Sequence, residues 1–539
     1  MKLLKPLFLS ATTAFILASC GGTSGVISTP IANIDNTPMK TSKLTETQLN
    51  TWSHLDLVKD TIPGMSVDKA YKFLKGKKGK TVIVAVVDSG IDIEHEDLKN
   101  VLWTNKKEIA NNGKDDDGNG YIDDVHGWNF LGDITDENLE FVRILRDKNL
   151  TDAATVAKAQ AQYDTEYKEA LENKTRYEGM YQKLTGADET LTKHFGKKEY
   201  TKEDVKAIDV EKTPALKDVV GVAQFAYGNG FDSVSAFADR IKGAVDHYTS
   251  SLNSHLNMTK DFRGVLKDNP NDITDKYYGN NHVWGPDKDE ALHGTHVAGI
   301  IAAERNNGKG MNGIAHNVEI MTVRAVPNGD EYDKDIALSF YYAVDNGAKV
   351  INTSFGKSYA AHSKWVYDAI KYAAKHDVLI VNAAGNDGQD LDVKNIYPND
   401  QVNNSAEISD NFLTVGALNF QYGDQLVANF SNYGKINVDV FAPGVKIYAT
   451  VPHNKYKHLQ GTSMASPNVA GVAALVRSYY PKLSASQVKH ILMDSGLPIK
   501  TKVVIGGDAA NIKTLDAVST SGKIVNAYNA LLMAERMSK

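Results

Sequence analysis

The alternation of two kinds of segment constrains this chain more than any other feature. "TVIVAVVDSG" (Thr81 to Gly90) is a continuous apolar, β-branched run that ends in Asp-Ser-Gly. "NVEIMTVRAV", "AKVINTSFG", "DVLIVNAAGN" and "NFLTVGAL" repeat the pattern. Runs without a polar face suit strands buried on both sides. Between them lie stretches with helical spacing, such as "DIALSFYYAVDNG" and "KWVYDAIKYAAKH". Strand, helix and strand in succession predict an α/β fold with a mostly parallel sheet. Sites in such sheets gather at the carboxyl ends of strands. Asp88, Ser354 and Asn386 stand at those ends.

The rhythm breaks between Leu131 and Pro286, where no comparable strand run occurs. Tyr163, Tyr167, Ala170, Leu171, Tyr177, Met180, Tyr181 and Leu184 recur there at helical spacing, with charged residues between them. This predicts amphipathic helices, with the tyrosine stripe as core. The expected organisation is an α/β domain over 49–130 and 286–539, with a mainly helical insertion at 131–285. Net charge is only −6 over 539 residues, which argues against a general nucleic-acid binder.

The single cysteine, Cys20, excludes an intrachain disulfide. Before it, Lys2 and Lys5 precede a short apolar run from Leu7 to Leu17. That run is too short to span a membrane and fits a secretory signal over 1–19. Leu17-Ala18-Ser19-Cys20 resembles a bacterial lipobox, which implies cleavage before Cys20 and lipid on its sulfur. The expected location is the bacterial cell envelope, anchored to a membrane by that lipid. Residues 20–48, rich in Gly, Ser, Thr, Asn and Pro at their start, read as a flexible tether.

Three short stretches carry candidate chemistry. They are "VVDSGID" with Asp88, "HGTHVAGIIAA" from His293, and "GTSMASP" with Ser463. Singly, each residue has a bland use as a turn or helix cap. Together they supply what acyl transfer needs. A serine hydroxyl attacks only if a base takes its proton, and histidine titrates near neutrality. A carboxylate fixes the histidine tautomer and steadies its charged form. His296 competes for the role of base, but lies one turn deeper in its helix and reads as packed.

The three stretches resemble the signature blocks of the subtilisin-like serine proteases, in the chain order of that family. The resemblance covers roughly residues 75–130 and 285–500, with "GKIVNAYNALL" similar to a closing helix. It implies a subtilisin-like three-layer fold and a serine endopeptidase. Asp88 would orient the base His293, and Ser463 would attack the peptide carbonyl. "NAAGN" matches the family's oxyanion block and puts the neutral donor at Asn386. The Ser463 N–H would be the second donor, at the mouth of a helix. "NTSFG" matches the edge segment that pairs with substrate, so Ser354, Phe355 and Gly356 would bind peptide backbone. Ala383, Ala384 and Gly385 would line the first specificity pocket. No charge stands out in either segment, so an uncharged, fairly apolar residue is expected before the cut. Lipases are disfavoured, because their nucleophile sits in a G-x-S-x-G elbow.

A separate motif, "NGKDDDGNGYIDD", sets Asp115, Asp117 and Asn119 at alternate positions, with Gly120 in sixth place. Alternating oxygens around a glycine turn suit a hard cation, as in the first half of an EF-hand loop. The expected ion is a structural calcium, with the Tyr121 carbonyl and Asp124 completing the ligands. Some subtilisin-like proteases carry such a loop soon after the catalytic Asp. The chain departs from the family in the 205 positions between Asp88 and His293. The insert there admits three roles: covering the cleft, restricting substrate size, or binding a protein partner. The stretch from Cys20 to Thr81 leaves no room for a full prodomain of the usual kind. Residues 50–80 are the alternative cover for that surface. The expected partners are peptide or protein substrates and, through Cys20, a membrane. Two other readings stay open: a processing protease limited to a few envelope proteins, and a non-catalytic scaffold.

Overall fold

The computed structural model describes residues 42–539, so Cys20 and the signal segment lie outside the described residues. The strands are β1 Val82–Asp88, β2 Gly127–Asn129, β3 Val318–Arg324, β4 Val350–Thr353, β5 Leu379–Ala383, β6 Phe412–Leu418, β7 Val440–Pro443, β8 Ile447–Val451, β9 Lys455–Leu459, β10 Leu497–Pro498, β11 Val503–Ile505, β12 Asp508–Lys513 and β13 Lys523–Ile524. The helices are α1 Glu46–Thr51, α2 Leu57–Asp60, α3 Val67–Leu74, α4 Glu140–Arg146, α5 Ala153–Phe195, α6 Lys202–Lys206, α7 Lys217–Gly228, α8 Val234–Ser250, α9 Leu292–Ala302, α10 Asp333–Asp345, α11 Ser363–Lys375, α12 Thr462–Tyr479, α13 Ala485–Asp494 and α14 Ala527–Met537.

All five apolar runs named from the sequence are strands of one nine-stranded sheet, in the order β10-β13-β7-β6-β5-β4-β1-β3-β2. Every pairing is parallel except β10 with β13. Alternate side chains of β1 feed two cores. Val84 and Val86 meet Val297, Ile300 and Val469 on one face. Ala85 and Val87 meet Phe340 and Ile370 on the other. Hence α9 and α12 cover one side of the sheet, and α10 and α11 cover the other. This is the mixed α/β, three-layer architecture expected from the sequence.

β1 pairs with β3 on one side and β4 on the other, placing Asp88 opposite Arg324 and Val87 opposite Thr353. The chain leaves the sheet in opposite directions from that point. The diverging loops open a crevice beyond the strand ends.

Leu44 packs against the core, and Thr45 caps α1 with a reciprocal bond to Gln48. Residues 50–80 are part of the body rather than a cover. Val67, Ala70 and Leu74 are buried on one face of α3, and Trp52 donates through Nε1 to the Val445 carbonyl at 3.0 Å.

Helices α4 to α8 make up most of the insertion. α5 spans 43 residues, about 65 Å at the usual helical rise. Asp152 caps its start and Gly196, at φ +66°, ends it. The tyrosine stripe is only partly core. Leu184 is buried with Tyr177, Met180 and Tyr181 packed beside it, and Ala170 is buried in a second cluster with Tyr163, but Tyr167 and Leu171 are exposed. The returning limb is irregular, and Asn280 pairs with Asn129 at the edge of the sheet. No helix among the described residues is long and apolar enough to cross a membrane.

Candidate active site

β1 delivers Asp88 to the crevice and α9 delivers His293. Their approach is close because Gly294 has no side chain. A Cβ there would lie 2.2 Å from the Gly90 carbonyl oxygen and 3.1 Å from Asp88 Cβ. His293 Nδ1 bonds to Asp88 Oδ1 at 2.7 Å. The same oxygen accepts the Ser89 N–H at 2.7 Å, and Oδ2 is buried without a protein partner. Since the carboxylate accepts, Nδ1 carries the proton and Nε2 keeps its lone pair. The His293 side chain is 38% exposed, facing the crevice side of a buried Asp88. Burial works against its charged form, but the charge of Asp88 and its hydrogen bond outweigh that and raise the pKa.

His296 is fully buried, and its Nε2 lies 3.0 Å from the Lys457 carbonyl. Burial lowers its pKa to about 3. It is a packed residue, as its place one turn deeper suggested.

Ser463 is the second residue of α12. Its hydroxyl caps no N–H of that helix. It donates to the Ser354 carbonyl at 3.0 Å. In return the Ser354 hydroxyl donates to the Ser463 carbonyl at 2.9 Å. That carbonyl is free because the residue four positions on, Pro467, has no N–H to give it. Among the described residues no hydrogen bond joins Ser463 Oγ to His293.

Asn386 follows β5 and is exposed. Its Oδ1 accepts the Thr462 N–H at 2.8 Å and the Thr462 hydroxyl at 3.1 Å. A backbone N–H can only donate, so the amide orientation is fixed and Nδ2 is left for another acceptor. A Cβ built on Gly461 would lie 3.5 Å from Asn386 Nδ2 and 3.6 Å from the Ser463 nitrogen. Both donors therefore border one small space beside the Ser463 backbone. No motif marked Thr462, whose hydroxyl also accepts the Gly385 N–H at 3.0 Å.

The remaining candidates stand at or just past the ends of β4 and β5. Ser354 is buried, Phe355 is half-buried and packs on the α10–α11 side, and Gly356 is exposed. Ala383 and Ala384 line a cavity of about 20 Å³ together with Ile396 and Pro398. No charged side chain borders it. Gly385 stands next to it at the end of β5.

The acidic loop gathers carboxylates from two stretches of sequence. Glu108, Asp115 and Asp117 offer carboxylate oxygens within 4.8 Å of one another. Glu108, seven positions upstream, had no motif to mark it. Asn119 donates its N–H to Asp115 and Asp117, and Asn105 Nδ2 bridges Asp117 and Asp124. Asn119 Oδ1 accepts the Tyr121 N–H at 2.7 Å, and its Nδ2 donates to Asp124 at 3.1 Å. Asp124 is buried and also takes the Tyr342 hydroxyl at 2.7 Å and Asn105 Nδ2 at 2.8 Å. Burial pushes it up to about 6. Tyr342, Asn105 and Asn119 thus hold its carboxylate beside the loop. The ring of Tyr121 packs against Trp128, Phe130 and Tyr342, which leaves its carbonyl as the only ligating atom. Three carboxylates this close suit a hard divalent cation.

The sequence model of the subtilase family matches residues 79–513. A thermophilic serine proteinase of Bacillus sp. (strain AK1) is 46% identical over 187 residues, which is 34% of this chain and 42% of that protein. A cell wall-associated protease of Bacillus subtilis (strain 168) is 37% identical over 221 residues, 41% of this chain and 23% of its own length. Subtilisin DY of Bacillus licheniformis is 37% identical over 223 residues, 41% of this chain and 76% of its own. The chain thus spans less than half the length of the first two. With the match over most of its length, the chain belongs to the subtilase family.

Proposed function

We propose that this chain is a serine endopeptidase working through Asp88, His293 and Ser463. Ser463 Oγ attacks a peptide carbonyl as its proton passes to His293 Nε2. The imidazolium then gives that proton to the departing amine. Water repeats the sequence on the acyl-serine, releasing the acid and restoring the hydroxyl. Asp88 holds Nδ1–H and stabilises the charged ring throughout. The Ser463 N–H and Asn386 Nδ2 receive the oxygen that turns negative only in the transition state. Two observations carry the reading: the 2.7 Å Asp88–His293 bond, and an asparagine beside the Ser463 nitrogen whose amide is locked with Nδ2 free. The first step requires Ser463 to turn its hydroxyl from Ser354 toward His293. Such bonds tighten when substrate binds.

Substrate lies along Ser354, Phe355 and Gly356 as an added strand, with an uncharged residue before the cut facing Ala383–Gly385. The uncharged lining of the adjacent cavity supports that preference. Calcium is held by Glu108, Asp115 and Asp117 and steadies the loop that follows β1. The lipobox-like segment supports lipid on Cys20 and a place in the bacterial cell envelope. Incorporation of labelled fatty acid, lost in Cys20→Ser, tests that part.

The experiment for the activity is labelling with a fluorophosphonate probe, wild type against Ser463→Ala. Labelling in the wild type alone is expected. A folded wild type that does not label overturns the reading.

A further inference from the structure

The edge segment is tied to the insertion. The residue after Gly356 is Lys357, and it is buried. Its Nζ lies 2.9 Å from Asp333 Oδ1 and 3.3 Å from Glu140 Oε2, and donates to the Glu331 carbonyl at 2.7 Å. Burial opposes the charge, and Asp333 and Glu140 more than restore it, so the ammonium persists. Glu140 opens α4 at the root of the insertion. It also grips Arg143, whose guanidinium donates to the carbonyls of Asn138, Asp330 and Glu331. Its second oxygen accepts the Ala361 N–H at 3.2 Å.

Two residues past Lys357, the ring of Tyr359 meets Phe141 of α4 edge-on at 6.1 Å. Its hydroxyl donates to Gln162 of α5 at 2.9 Å. Meanwhile the Lys357 backbone exchanges both hydrogen bonds with Tyr397, at 2.9 and 2.8 Å. The chain just beyond Gly356 is therefore fixed by charge, by ring packing and by backbone pairing.

Stability alone is a poor account of this arrangement. Well-packed apolar residues in place of a buried ion pair are often neutral or better. What the ions supply is a single geometry, one residue from the segment that pairs with substrate. We propose that the insertion, through Glu140 and Lys357, positions Ser354–Gly356 and so gives the enzyme its preference for substrates extended several residues before the cut. This rests on the endopeptidase reading above. The insertion is then a fixed wall of the substrate cleft. Glu140 and Lys357 are positioning residues and touch no reacting atom. Each main-chain hydrogen bond to substrate depends on the edge segment standing at the right height. A ligand that reaches only Ser463 makes none of those main-chain bonds and senses that height only through the Ser354–Ser463 contacts.

The test uses the full chain as wild type, Lys357→Met, Glu140→Gln and Tyr359→Phe. Three readouts are compared: fluorophosphonate labelling rate, turnover of a single-residue activated ester, and kcat/KM for a tetrapeptide anilide with the same residue at the cut. Labelling and ester turnover should hold in all variants. Tetrapeptide kcat/KM should fall about 10- to 100-fold in Lys357→Met, mainly through KM. Tyr359→Phe, which removes one hydroxyl and leaves the ions intact, should show a smaller fall of the same sign. Equal loss on all three readouts, or an unchanged tetrapeptide preference, overturns the proposal. If Lys357→Met does not fold, an unchanged preference in Tyr359→Phe overturns it alone. A wild type that neither labels nor cleaves sinks the endopeptidase reading and this inference with it. A labelling wild type with indifferent variants sinks only the inference.

Discussion

Asp88 and His293 close a 2.7 Å hydrogen bond across 205 positions of sequence. The bond fixes the proton on Nδ1 and raises the histidine pKa against the effect of burial. Only the neutral ring can take the serine proton. As pH falls through a value above about 6.5, kcat/KM should therefore fall with it. Asp88→Asn removes the charge that raises the pKa, so the acid limb should move to lower pH. Its plateau should drop by about 10⁴. A limb that stays in place in the variant would assign the titration to another group.

Asn386 has two jobs that can be separated. Its oxygen accepts the first N–H of α12, and in the proposed mechanism its nitrogen receives the oxyanion. Asn386→Leu should lower kcat by about 10²–10³ with KM little changed, a magnitude borrowed from subtilisin's own oxyanion asparagine. The lost cap should cost only about 1 kcal/mol of stability. Steady-state kinetics beside a thermal melt distinguish the two. Equal kcat in the variant would remove Asn386 from the chemistry.

Gly294 sets the distance between α9 and β1. In Gly294→Ala, the new Cβ would stand 2.2 Å from the Gly90 oxygen, so the helix must shift. A misplacement of about 1 Å at His293 is expected to reduce kcat/KM about 10²-fold. Far-UV circular dichroism should be unchanged. An active Gly294→Ala enzyme would show that the Asp88–His293 geometry tolerates movement.

Glu108 and Asp117 predict a calcium effect with a clear signature. Calcium at about 100 times its dissociation constant should stabilise the wild type by about 2.7 kcal/mol. Asp117→Asn and Glu108→Gln should lose that gain and melt like the chelated wild type. A wild-type melting temperature indifferent to chelator would leave the loop without an ion.

The parts legible in the sequence share one property. A strand buried on both faces has an unbroken apolar run, so β1, β3, β4, β5 and β6 announced themselves. Asp88, His293 and Ser463 stood beside glycines and small residues, which the close approach of α9 and α12 to the sheet requires. The parts that stayed hidden depend on contacts between distant loops. Glu108 reaches Asp115 and Asp117 because the loop folds back, and no spacing marks that. β9 has no buried residue, so its sequence, "KYKHL", reads as loop. Lys357 and Glu140 are each an ordinary charged residue until the fold brings the insertion against the edge segment.

The insertion has a further consequence for how the molecule assembles. β1 pairs with β3 only after the chain between them has closed a very long loop, and such non-local pairing is slow. Helices α5, α7 and α8 build a core of their own from residues near in sequence, including Leu184, Leu191, Ala223 and Phe237. Local helical contacts form early. They draw in most of the intervening chain before the strands must meet. The segment that separates the two halves of the site in sequence also shortens the search by which they find each other.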